Sequence, residues 1–217
     1  MKLSGKSRMY VGSIELARDL LMNTPLPPDG RYIKDLPVVK HLTRLELKTP
    51  VTFFCGENGA GKSTLIEAVA VACGFNPEGG SRNMDFSTRQ SVSPLAAFLH
   101  ISHGLKRPKD GYFLRAESFY NVATEIETLD AEPAAAPKLI ESYGGVSLHE
   151  MSHGESFFAL MKNRFFGKGL YILDEPEAAL SPSRVMAMLI IIDELVRDES
   201  QFIISTHSPI LLSCRDS

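Results

Sequence analysis

Apolar positions along this chain recur with two different periods, and the change of period marks out its elements. Strand-like runs cover Val38 to Leu47, Val51 to Cys55, Gly111 to Phe119, Gly169 to Leu173 and Gln201 to Thr206. Helix-like spacing covers Ser63 to Val71, Pro94 to Leu105, Glu155 to Phe166 and Pro182 to Val196. Residues 1–37 read as irregular, apart from an amphipathic patch at Ile14 to Met22 and a proline-rich turn from Pro25 to Gly30. Residues 74–111 are rich in Gly, Ser, Arg and Pro, and Ala131 to Pro137 reads as a linker or helix-bounding loop. The last third alternates helix, strand, helix, strand, which predicts a mostly parallel sheet flanked by helices, an α/β fold. The expected organisation is one domain over 1–217, with 74–150 as an inserted, partly helical subdomain, and no internal repeat.

Composition agrees with this picture and narrows the setting. A chain of 217 residues with 44% hydrophobic content can bury one α/β core. Its formal charge of −3 argues against nucleic-acid binding over the whole surface, though not against a local basic patch. Cys55, Cys73 and Cys214 are widely spaced with no Cys-x-x-Cys pair, so they read as reduced thiols rather than a disulfide framework or zinc site. The start, Met1 to Lys6, lacks the apolar core of a signal peptide, and no apolar run approaches the roughly 20 residues of a membrane span. A cytoplasmic protein without membrane insertion is the expectation.

The first candidate chemistry is Gly56-Glu57-Asn58-Gly59-Ala60-Gly61-Lys62-Ser63-Thr64, which fits Gly-x-x-x-x-Gly-Lys-[Ser/Thr]. It follows an apolar strand and opens a helix, the context this phosphate-binding loop requires. Glycines allow a tight turn with backbone N–H groups aimed at a phosphate, and the helix adds the positive end of its dipole. Lys62 can reach the outer phosphates and the Ser63 hydroxyl can ligate Mg²⁺. A nucleoside triphosphate is the implied ligand.

Leu170-Tyr171-Ile172-Leu173-Asp174-Glu175-Pro176 is the second. A buried parallel strand ending in two carboxylates delivers acids to the edge where such sheets bind ligands. Asp174 is placed to complete the Mg²⁺ shell with Ser63, and Glu175 to orient or deprotonate a water facing the γ-phosphate. A strand ending in a solvated acidic turn would look the same in isolation.

Two further motifs select a subclass. Met151-Ser152-His153-Gly154-Glu155 opens a helix with the Ser-x-x-Glu spacing of a capping box, which by itself calls for no ligand. Phe202 to Thr206 is an apolar strand that delivers His207 to the same edge as the acids. Taken in order with the phosphate loop and Asp174-Glu175, over residues of about 38 to 210, these resemble the ABC-type ATPase family, whose signature reads (Leu)-Ser-Gly-Gly-[Gln/Glu]. Met151 and His153 depart from that pattern. The resemblance implies that Ser152, Gly154 and Glu155 belong to a signature gripping the γ-phosphate of an opposite subunit, and that His207 is a switch histidine beside the attacking water. Glu177 to Ser181 matches the loop after the acidic pair, with Ser181 in place of its usual Asp and in a position to cap the next helix.

The family's loop glutamine has no clear counterpart: Glu117 stands in a suitable place and Gln90 is the right type in a Ser/Arg-rich stretch. Arg82, Arg89 and Arg115 read as solvated or structurally paired cations rather than phosphate ligands. The pairs His100/His103 and His149/His153 lack the company of a metal site. The resemblance implies ATP and Mg²⁺ as ligands, Mg²⁺-dependent hydrolysis, and a homodimer that ATP glues head-to-tail. The missing glutamine, the signature ending in Gly154-Glu155 and the irregular 74–111 stretch are more like the soluble branch that holds chromosome-maintenance, DNA-repair and OLD-like predicted ATPases, so DNA, defence or a protein partner is the expected output. Lacking heptads and with a short stretch after His207, the chain is expected to be a stand-alone motor or a truncated one. An ATP-binding subunit of a transporter and a low-turnover nucleotide switch are the alternatives.

Overall fold

A computed structural model describes residues 9–82, 93–116, 119–131 and 138–213. The chain enters on β1 (Val11–Leu16), where irregular structure was expected, and turns into α1 (Arg18–Asn23). The stretch expected as one strand from Val38 to Leu47 is split into α2 (Pro37–His41) and β2 (Arg44–Glu46). Local chemistry explains the split. Pro37 occupies the first turn, where a missing N–H costs nothing. The Arg18 guanidinium donates to the carbonyls of Val39, Lys40 and Leu42, which the end of so short a helix leaves without partners.

Next come β3 (Val51–Phe54) and α3 (Lys62–Ala72), as expected, then a two-residue strand, β4 (Gly80–Ser81). Pro94 to Leu105 is not one helix. A 3-10 turn, Pro94–Phe98, leads into β5 (Leu99–His103), whose apolar–polar alternation is the period of a strand. β5 and β2 flank β1 in a three-stranded antiparallel sheet.

The main sheet is built from β3, β4, β6 (Asp110–Arg115), β7 (Gly169–Asp174) and β8 (Gln201–Ser205) in the order β3-β8-β7-β6-β4. Its first four neighbours run parallel and β4 is antiparallel at the edge. The inner strands are buried on both faces, which is why β7 and β8 read as continuous apolar runs. Phe113, Leu170, Ile172 and Ile203 point to a core shared with Ile66 and Val69 of α3 and with Val11 and Ile14 of β1, so α3 lies between the two sheets. Tyr112, Leu114, Tyr171, Leu173, Phe202 and Ile204 point the other way, towards α4 (Phe119–Ala131), α5 (His153–Arg164) and α6 (Pro182–Arg197). A short helix, α7 (Pro209–Leu212), follows β8. Of the stretch 74–150, β4 and β6 belong to the main sheet and β5 to the small one, while α4 and the 3-10 turn Leu139–Tyr143 form its helical part. Among the described residues no helix is long and apolar enough to cross a membrane.

Two buried polar devices hold the layers in register. The Gln201 side chain accepts from the N–H groups of Tyr10 and Val11 and donates to the Val11 carbonyl, tying the start of β8 to β1. At the N-terminal end of β6, Asp110 accepts from Arg164 at 2.9 Å, from the Tyr171 hydroxyl at 2.8 Å and from the Phe166 N–H at 3.1 Å. Burial raises the cost of that charge, but the three donors outweigh it and hold the Asp110 carboxyl below its usual range. A folded value below the unfolded one, about 3.9, gives stability that is present above about pH 4 and lost as pH falls through the folded value. Asp110→Asn should therefore lower the melting temperature at pH 7 by several degrees and flatten its fall between pH 5 and 3, as read by circular dichroism; an unchanged acid slope would contradict this assignment.

Candidate functional site

Strand register sets the site. At the C-terminal edge of the main sheet Phe54 pairs with Ser205, Ser205 with Asp174, and Asp174 with Arg115, one row across β3, β8, β7 and β6. The segments that leave this row carry the phosphate loop, Glu175 and His207. Parallel strands thus bring together residues far apart in sequence, on the edge where open α/β sheets bind ligands.

The loop from Gly56 to Gly61 ends in the left-handed region at Gly61, φ 90°, which is the N-cap of α3. A Cβ there would lie 2.8 Å from Val38 Cγ1 and 3.2 Å from Leu36, so both the φ and the close approach require glycine. The Val38 N–H donates to the Ala60 carbonyl at 3.0 Å, so the turn into α2 braces the loop from behind. Lys62, the first residue of α3, is 7% exposed, and its Nζ donates to the carbonyls of Gly56 at 3.0 Å and Glu57 at 2.9 Å. The ammonium is therefore held at the loop, beside Ser63 and the free N–H groups of the helix start.

Asp174 is buried at the end of β7. Its Oδ1 accepts from the Ser205 hydroxyl at 2.5 Å, and its Oδ2 lies 3.7 Å from Arg115 Nε. Arg115, itself half-buried, also reaches Glu67 Oε2 on α3 through Nη1 at 2.7 Å, so a chain of alternating charge runs Glu67, Arg115, Asp174. Arg115 is thus structurally paired, as expected, but its pairing extends to the acid of the site. A hydroxyl from Ser63 and a carboxylate from Asp174 are hard oxygen donors, the set that Mg²⁺ prefers alongside phosphate oxygens and water. Among the described residues no group of three or more His, Cys, Asp or Glu is placed to hold a metal ion.

Glu175 adopts φ 48° and ψ 53°, a left-handed turn uncommon outside glycine and asparagine. Its N–H donates to Ser205 at both the carbonyl, 3.2 Å, and the hydroxyl, 3.0 Å, which pins the turn to β8. The turn aims the side chain away from the strand, where Oε1 lies 3.4 Å from His207 Nε2. Both side chains are little more than a third exposed.

The signature segment behaves as a capped helix start. Ser152 donates to Glu155 Oε2 through its N–H at 3.2 Å and its hydroxyl at 2.6 Å, closing the capping box. These bonds, with Arg184 on α6 at 3.3 Å, hold the Glu155 carboxyl below its ordinary range. α5 and α6 cover the face of the sheet opposite α3, so the signature and the phosphate loop open from different faces of one chain. Ser181 is the N-cap of α6 ahead of Pro182, as expected, but its hydroxyl meets Ser183 Oγ at 3.1 Å rather than a helix N–H.

Other candidates fall elsewhere. Gln90, Glu117 and Arg89 lie outside the described residues. Arg82 sits over the Phe75 ring at 5.0 Å, and His149 meets Thr124 Oγ1 at 3.2 Å. Burial pushes the Cys73 thiol up to about 12, so it is inert at neutral pH. Sequence reasoning missed Ser205 as a partner of Asp174 and Glu67 as its link through Arg115, and no local signal marks either.

Comparison with known proteins places this geometry. An AAA-domain family model matches residues 32–116, the phosphate-loop half. A second, described as an AAA domain of the AbiEii toxin, type IV toxin–antitoxin kind, matches residues 140–213, which carry the signature, the acidic pair and His207. Similar curated proteins include the ribose import ATP-binding protein RbsA of Bacillus cereus, 24% identical over 79% of this chain and 37% of that protein. The nucleoside import ATP-binding protein NupA of Lactococcus lactis is 26% identical over 78% of this chain and 36% of that protein. The cobalt import ATP-binding protein CbiO of Salmonella typhi is 27% identical over 82% of this chain and 68% of that protein. The chain therefore spans little more than a third of the length of the first two. Among solved structures, the SMC head domain from Thermotoga maritima aligns over 96% of this chain and 93% of that one, at 15% identity and a TM-score of 0.46. A phosphate loop, an acidic strand end and a histidine set on one parallel sheet edge, with AAA-domain matches to residues 32–116 and 140–213, together support a P-loop ATPase of the ABC type.

Proposed function

We propose that the chain binds ATP with Mg²⁺ and hydrolyses it, in a site that two chains complete head-to-tail. The observation that carries this is the register row Phe54, Ser205, Asp174, Arg115, from which the phosphate loop, Glu175 and His207 all project at one edge. Lys62 and the N–H groups from Gly59 to Thr64 hold the β- and γ-phosphates. Ser63 and Asp174 would hold Mg²⁺, which when bound neutralises phosphate charge as the leaving oxygen departs. Glu175 accepts the proton of an in-line water, and His207 keeps that water and the γ-phosphate aligned.

Ser152, Gly154 and the free N–H groups at the start of α5 supply the remaining wall from a second chain. Support for this comes from the opposite-face placement of α3 and α5: in one chain the signature is turned away from the loop it would serve. ATP then acts as the glue, and loss of the γ-phosphate releases the pair. A second reading, the ATP-binding subunit of an importer, is favoured by the names of the similar proteins. Glu155, where transport ATPases usually carry glutamine, favours the soluble branch, with DNA or a partner protein receiving the output.

Phosphate release from ATP by the purified chain tests the proposal. Release should need Mg²⁺ and should rise faster than linearly with chain concentration, because each site takes two chains. Strictly linear dependence would contradict the shared site. Stimulation by duplex DNA would favour the soluble branch over the importer subunit.

A further inference from the structure

Three donors from the segment after β8 converge on one carboxylate that the proposed chemistry leaves without a role. Glu177 lies in the 3-10 turn Pro176–Ala179, just past the acidic pair. Its Oε1 accepts from the Thr206 hydroxyl at 2.6 Å, from the His207 N–H at 2.6 Å and from the Ser208 N–H at 3.1 Å. The Thr206 hydroxyl in turn accepts from the Ser208 N–H at 2.9 Å. Oε2 of the same carboxylate is buried and has no hydrogen-bond partner among the described residues. All the bonding capacity that Glu177 uses is therefore turned towards one short stretch of backbone.

That stretch needs it. The Thr206 N–H makes the last ladder bond of β8, to the Phe54 carbonyl. Beyond it the N–H groups of His207 and Ser208 have no strand to pair with, and Ser208 begins α7. The His207 side chain is about a third exposed, and its Nε2 lies 3.4 Å from Glu175 Oε1. Its aim towards Glu175 depends on where its backbone is held, and the bonds to Glu177 fix that backbone. Charge-assisted bonds to that backbone are the strong kind, and here they come from the turn that also follows Glu175.

We propose that Glu177 is a positioning residue for the switch loop: its carboxylate clamps residues 206–208 so that the His207 imidazole stays beside Glu175. This rests on the two-chain ATPase reading above. It also links two loops mechanically. The turn bearing Glu177 runs on to Leu180 and Ser181, so any shift imposed on that turn by a facing chain is passed to the His207 backbone through one carboxylate. Ser181 stands where the family pattern has a carboxylate, and Glu177 gives this chain a coupling that does not need it.

The test compares E177A, E177Q and H207A with the double variant E177A/H207A. E177A should lower kcat about 30-fold with KM for ATP changed less than about 3-fold, and E177Q, which keeps an acceptor oxygen, should recover most of the loss. On the H207A background E177A should cost less than about twofold, because the clamp has lost what it aims. In parallel, hydrogen exchange on the nucleotide-free chains should show the segment 206–208 exchanging at least about tenfold faster in E177A and near the native rate in E177Q, with β7 unchanged. Additive losses in the double variant, equal loss in KM and kcat, or unchanged protection at 206–208 would each overturn the clamp. The exchange arm needs no turnover, so a native chain that fails to hydrolyse ATP would overturn the ATPase reading while leaving the clamp to be judged by exchange alone.

Discussion

Lys62→Ala should raise the dissociation constant for Mg·ATP at least about 100-fold and remove turnover at any accessible ATP concentration. Lys62 is a cation only 7% exposed, and it is retained there because two loop carbonyls, Gly56 and Glu57, take its donors. Its charge is thereby fixed at the loop, beside the space that the N–H groups of a helix start face. A phosphate entering that space meets a point charge already fixed, so little entropy is lost on binding. Alanine removes the charge and leaves the two carbonyls to water. α3 itself should survive, since Leu65, Ile66 and Val69 anchor it between the sheets. Titration with a fluorescent ATP analogue, with melting temperature as the control for folding, reads the effect. Binding within threefold of the native chain would mean that the loop is not the nucleotide site.

Glu175→Gln should lower turnover about 1,000-fold while leaving Mg·ATP affinity within about threefold, because general-base catalysis of this kind contributes on the order of 10²–10⁴. Glutamine is nearly isosteric, and the turn is held by backbone bonds from the Glu175 N–H to Ser205, which the substitution does not touch. What changes is the acceptor beside His207 Nε2. The left-handed φ of 48° costs on the order of 1 kcal/mol for a residue with a Cβ, and its effect is to swing the side chain out of the strand's line to the loop side. Asp174, one residue earlier, stays in the strand and buried. Two adjacent carboxylates thus take separate environments, one suited to a cation and one to a water. Phosphate release and retention of bound ATP through a desalting step measure the two halves of the expectation. A variant within tenfold of native turnover would remove Glu175 from the chemistry.

The parts of this fold that were legible in the sequence are those whose signal is contiguous. β7 and β8 show as apolar runs because both faces are covered, and the loop Gly56 to Thr64 shows because its glycines and Lys62 sit at fixed spacing. Of the N-terminal sheet, β2 lay within a stretch read as a strand, but β1 and β5 were not legible. β1 is a strand because it pairs with β5, a segment distant in sequence, and α2 ends where it does because Arg18 reaches its carbonyls. Neither cause leaves a local pattern. Within the site the same division holds. Asp174, Glu175 and His207 were readable as strand ends, whereas the Glu67–Arg115–Asp174 chain and the bonds to Glu177 depend on register between strands. Pro94 to Leu105 was misread because a 3-10 turn and a short strand together mimic one helical stretch.

The claim on which the rest depends is that one chain holds half of an ATP site. Multi-angle light scattering of the Glu175→Gln chain, with and without Mg·ATP, tests it most directly. The twofold arrangement predicts a monomer without nucleotide and a species of twice the mass with Mg·ATP, lost again when Ser152→Arg is added at the signature. A chain that binds Mg·ATP yet keeps its monomer mass would contradict the composite site.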